Sequence, residues 1–141
     1  MEIVELVKEN IASNLDDCVA LQLYLVKPDS VIFPEMFIES AEDSHTYFLG
    51  LCDDGKIVGM GVLSKMVHPV NITGYINNVV VHPDARGKGL FKVIMDSLES
   101  KAKEWGCTDV ALTCSRAEVQ AKYEKRGYVK KETEFYIYKV S

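Results

Sequence analysis

Apolar and polar residues change period several times along the chain, and each change marks an element. Apolar runs over residues 3–8, 45–52, 56–67 and 74–81 have the length of strands. The second and third meet at Asp53-Asp54-Gly55, a sequence that favours a tight hairpin. Leu90, Val93, Ile94, Leu98, Ala102 and Trp105 then recur every three or four positions, the period of a helix burying one face, and Gly106 supplies its stop. Ser13-Asn14 followed by Asp16 and Asp17 predicts an earlier helix start, with apolar positions carrying it to Lys27-Pro28. Pro34 is placed to begin another helix. A strand over 108–114, a helix over 117–126 ended by Gly127, and strands over 128–131 and 134–140 close the chain. Hairpins mixed with strand–helix–strand units predict one α/β domain over residues 1–141, a mixed sheet of about seven strands with about four flanking helices.

Composition narrows the field only a little. A chain of 141 residues, 48% hydrophobic, can bury a core of its own. Its longest apolar runs are strand-length, which predicts no spanning helix and no membrane partner. Met1-Glu2-Ile3-Val4-Glu5 lacks the blocks of a secretion signal. A net charge of −5 disfavours nucleic acid, whose binding rests on neutralising phosphates, and suits a cationic small substrate slightly better. Cys18, Cys52, Cys107 and Cys114 form no Cys-x-x-Cys pair, so they read as reduced thiols of a cytoplasmic protein with no metal.

The stretch VVVHPDARGKGLFKVIM, residues 79–95, carries the chemistry. The strand ends in Arg86-Gly87-Lys88-Gly89 and the helix follows at Leu90 and Phe91, with glycines and cations where Ser, Thr, Asp or Asn normally caps. A helix N-terminus exposes free amides and roughly half a positive charge, so it suits phosphate. Gly87 and Gly89 let backbone approach a bulky anion, while Arg86 and Lys88 add charge. The turn is neither a Walker loop nor a Rossmann fingerprint, which leaves an ATPase or dehydrogenase without support. Upstream, two adjacent asparagines, Asn77 and Asn78, run against strand propensity and predict a bulge.

Arg86-Gly87-Lys88-Gly89-Leu90-Phe91 resembles motif A of the GNAT N-acetyltransferase superfamily. Tyr123-Glu124-Lys125-Arg126-Gly127-Tyr128 is similar to its Tyr-x-x-x-Gly-Phe/Tyr signature. The order of elements also matches, so the resemblance covers essentially the whole chain. It implies the GNAT fold and acetyl transfer from acetyl-coenzyme A to a primary amine of a small molecule, by direct attack in a ternary complex. A protein or peptide amine as acceptor, or a coenzyme A-binding sensor without turnover, are the alternatives. By the resemblance, Val79 and Val81, with Val80 between them, pair with the pantetheine arm. Arg86 to Phe91 hold the pyrophosphate, and the bulge at Asn78 aims an amide at the thioester carbonyl. Tyr123 then contacts the cofactor and serves as the acid for the leaving thiolate.

Phe91 stands where the family usually has a small residue, so its ring needs room beside the turn. The C-terminal half is most like the glucosamine-6-phosphate N-acetyltransferases, but their acidic strand pair is Asn77-Asn78 here. The strand over 74–81 therefore offers no carboxylate base, leaving a water chain, Glu39 or Glu134. Phe33, Glu39, Asn77 and Glu134 are the expected acceptor-site residues, with Tyr24, Glu35, Glu42 and Asp43 on the same wall. The C-terminal segment contributes across a possible homodimer.

Overall fold

The computed structural model describes residues 1–140; Ser141, the last residue of the expected domain, lies outside them. Five strands form one sheet: β1 (Glu2–Glu5), β2 (Thr46–Asp53), β3 (Lys56–Val67), β4 (Ile72–Val81) and β5 (Asp109–Ala111). They stand in chain order, antiparallel up to β4, with β5 parallel to β4. Helices α1 (Ile11–Gln22) and α2 (Pro34–Glu42) pack on one face. On the other lie α3 (Leu90–Glu104), which makes the crossover from β4 to β5, and α4 (Ala117–Lys125). The central strand β3 is buried on both sides: Met60 and Val62 face the first layer and Leu63 the second, which is why its sequence reads as continuous apolar residues.

The hairpin between β2 and β3 forms where Asp-Gly requires it, with Asp54 and Gly55 both at positive φ (51° and 78°). The start of α1 differs from expectation. It begins at Ile11, and the Asn10 side chain, accepting from the Val7 amide at 2.8 Å, fixes the turn before it. It ends at Gln22, and residues 23–33 continue as turns and coil.

The expected seven strands are five. Strand β5 is three residues long, and the expected strands over 128–131 and 134–140 carry no ladder. Alternation makes a segment competent to be a strand, but a strand also needs an edge to pair with, and this tail meets none among the described residues. Phe135, Tyr136, Ile137 and Tyr138 are accordingly 73–89% exposed.

Candidate functional site

The site is built on a defect in β4. Met60 pairs with Val80, but Val62 pairs with Asn77, so Asn78 and Val79 together oppose Gly61. This is the bulge that Asn77-Asn78 predicts, and Asn78 takes the left-handed conformation (φ 55°) that asparagine tolerates. The extra residue inverts the facing of everything beyond it. Ile76 packs into the α3 layer, whereas Val80, four residues later, packs into the α1–α2 layer. Gly61 lets α3 close over the bulge, since a Cβ there would lie 2.7 Å from Ile94 Cγ2.

Beyond the bulge the sheet opens. Strand β5 pairs only with Thr73, Gly74 and Tyr75, so β4 from Ile76 to Val81 has no strand on its outer side. This open edge runs directly into the turn at residues 86–89. Gly87 and Gly89 sit at φ 80° and 76° with nothing within 4 Å of where a Cβ would be, so the space over the turn is open. Helix α3 has Gly89 as its N-cap and no side chain bonded there. Arg86 is anchored by its Nε donating to the Val81 carbonyl at 3.1 Å, which fixes its guanidinium between strand and turn. The His82 Nδ1 accepts from the Asp84 amide at 3.1 Å and caps the short 3-10 turn at Pro83–Ala85, while its ring meets Tyr24 edge-on with centroids 5.6 Å apart.

Phe91 finds its room sideways. Its ring meets Tyr123 edge-on with centroids 5.5 Å apart, and Tyr123 meets Tyr128 likewise at 5.7 Å. The bulky residue thus props α4 against α3. Tyr123 is half-buried in this aromatic row, and its hydroxyl has no hydrogen-bond partner among the described residues. Burial first, then the nearby Cys114 sulfur, pushes its phenol up to about 12. Below it, Arg126 binds Glu99 at 2.6 Å and Asp96 at 2.7 Å, and Tyr128 donates to Glu99 at 2.8 Å, tying the end of α4 to α3. Burial and the Glu99 carboxylate push the Tyr128 phenol up as well.

On the opposite face of the bulge, α1, α2 and the sheet border a cavity of about 280 Å³ that opens to solvent, with Phe33, Asn77 and Asn78 in its lining. The Asn78 side-chain amide donates to Gln22 Oε1 across it. Of the other expected acceptor-site residues, Tyr24 does not line this cavity. Glu35, Glu39, Glu42 and Asp43 are absent from the lining, because their side of α2 faces water while Phe37 faces the sheet. Glu134 lies in the exposed tail and does not line the cavity. Among the lining residues missed from sequence are Gln22, Phe48 and Val62, from α1, β2 and β3, and Met36, Phe37 and Ser40 of α2. Nothing local marks them, since only the fold brings them to β4. Among the described residues no cluster of His, Cys, Asp or Glu could hold a metal.

The family model described as Acetyltransferase (GNAT) family matches residues 15–128. Glucosamine 6-phosphate N-acetyltransferase 1 of Dictyostelium discoideum is 33% identical over 112 residues, covering 75% of this chain and 71% of that protein. A probable glucosamine 6-phosphate N-acetyltransferase 2 of Oryza sativa subsp. japonica is 42% identical over 88 residues, where this chain spans only 52% of its length. The crystal structure of glucosamine-6-phosphate N-acetyltransferase from Arabidopsis thaliana superposes with a TM-score of 0.78 at 26% identity, covering 97% of each chain.

Proposed function

Because the chain belongs to the acetyltransferase (GNAT) family, a family of acyltransferases, we propose that it moves the acetyl group of acetyl-coenzyme A to a primary amine of a small molecule within a ternary complex. The observation that carries this reading is the open outer edge of β4, leading into an uncapped, cation-flanked helix start. Acetyl-coenzyme A supplies a thioester that is electrophilic at its carbonyl carbon. The chain's own groups then have separable roles. Backbone of Val79 and Val81, with Val80 between them, suits pairing with an extended amide-bearing arm along the open edge, although the Val81 carbonyl already accepts from Arg86 Nε. Arg86, Lys88 and the amides from Gly87 to Phe91 suit a diphosphate. The backbone at Asn78, turned by the bulge, offers a donor to the oxygen that gathers charge as the amine attacks. Tyr123 holds a proton for the departing sulfur, and its raised pKa keeps that proton in place through the neutral range.

The test is thermal. Acetyl-coenzyme A at about 100 times its Kd adds about 2.7 kcal/mol, a rise of about 5–10 °C in Tm for a chain of this size. Arg86→Glu is expected to abolish that rise, and no rise for the unchanged protein refutes the proposal.

We also infer a homodimer. The outer edge of β5 is unpaired, and a strand-competent apolar tail in the same chain is unpaired too. Two copies satisfy both at once.

A further inference from the structure

The cavity beside the bulge has a lining that selects its occupant. Most of the wall is apolar, with Phe37 and Phe48, at 8% and 2% exposure, packed with tilted rings 6.2 Å apart, and Phe33, at 55%, on the exposed side. The polar lining groups are Gln22, Ser40, Asn77 and Asn78, all uncharged. Among the described residues no Lys, Arg, His, Asp or Glu lines it. Three of the four polar groups gather at the bulge, where Asn78 is bonded to Gln22 and Asn77 adjoins them. The cavity is therefore polar at the end nearest the open edge of β4 and greasy away from it.

A sugar phosphate is a poor match for these walls. Its phosphate, seated against these walls, would give up water and meet no cation in return. Its hydroxyls would face phenyl rings. An ammonium is also unsupported, since no carboxylate waits for it, so desolvation favours the neutral amine. Resting on the acetyl-transfer reading, we propose that the acceptor is a primary amine on an uncharged apolar body, an aryl-alkylamine or alkylamine. Its nitrogen sits among Asn77, Asn78 and Gln22, and its ring or chain lies against Phe33, Phe37 and Phe48. Transfer then forms the new C–N bond and breaks the C–S bond; the amine's proton passes to solvent, Tyr123 gives its proton to the departing sulfur, and solvent returns one to Tyr123.

Thiol release at saturating acetyl-coenzyme A decides the matter, with phenethylamine, glucosamine 6-phosphate, glucosamine and spermidine as acceptors. The expected kcat/KM for phenethylamine exceeds each of the others at least 100-fold. Glucosamine 6-phosphate or spermidine at parity or above overturns the proposal, as does an absence of turnover with phenethylamine. Met36→Lys places a cation on the cavity lining at a residue already 52% exposed, so the fold is spared. It is expected to cut the preference for phenethylamine over glucosamine 6-phosphate at least tenfold, and an unchanged ratio counts against the cavity as the acceptor site. Coenzyme A's thermal shift separates the two levels. A shift without preference for the apolar amine removes this inference alone, whereas no shift removes the acetyl-transfer reading and this inference with it.

Discussion

Tyr123 shows how a single residue gains its chemistry from packing. A free phenol ionises near 10, and burial between Phe91 and Tyr128, with Cys114 nearby, moves this one to about 12. Two outcomes follow at this scale. Tyr123→Phe is expected to lower kcat about 100-fold with little change in the KM for acetyl-coenzyme A, because the ring still packs while the proton is gone. The alkaline limb of the wild-type kcat profile is expected above about pH 11, and a limb near pH 10 would contradict a buried acid. Stability carries the same signature. The unfolded chain loses the Tyr123 proton near pH 10 and the folded chain near 12, so the folded state is favoured below pH 10 and loses that advantage as pH rises through 12. Urea midpoints across pH 9–12 measure it. Cys18, by contrast, is pushed up to about 12 by burial and then by Asp17, which makes it an inert core thiol.

At the scale of elements, the bulge in β4 and the glycine opposite it act as one unit. Gly61→Ala would bring a Cβ within 2.7 Å of Ile94 Cγ2 and 3.0 Å of Leu98 Cδ1, both on α3. The expected loss is about 1–3 kcal/mol, read as a lower urea midpoint at unchanged m-value. A midpoint equal to wild type would mean that α3 does not press on the bulge. Local pattern made much of this part legible in the sequence. The α3 period, the Asp54-Gly55 hairpin, the uncapped Gly89 and the Asn77-Asn78 irregularity are all statements about neighbours in the chain. Beyond Phe33, Asn77 and Asn78 the cavity wall was not legible, because Gln22 meets Asn78 across 56 residues and Phe48 and Val62 arrive from other strands. The acidic residues of α2 stand away from the cavity for a related reason: charge marks the face turned to water, and the face turned to the cavity is its apolar opposite.

At the scale of the whole molecule, two unsatisfied features belong to one chain. The sheet ends at β5, whose outer backbone groups have no strand beside them, and an exposed edge of this kind is a template for another strand. Residues 134–140 read as a strand from their aromatic and β-branched content, yet they leave α4 without a partner, with Ile137 at 73% and Val140 at 89% exposure. Their anchor is secure, since Tyr128 and Arg126 are bound to Glu99 on α3, so the tail starts from a fixed point near the sheet's open side. Exposed aromatic area of this extent marks an interaction surface, and a second copy supplies both a tail for the edge and an edge for the tail. Light scattering on a sizing column is expected to give twice the 15.8 kDa of the chain. A chain ending after Tyr128 is expected to elute as a monomer while keeping its acetyl-coenzyme A thermal shift, because the turn at residues 86–89 and Tyr123 all precede the cut. A full-length monomer at micromolar concentration would show instead that the tail has another partner, and the dimer would fall.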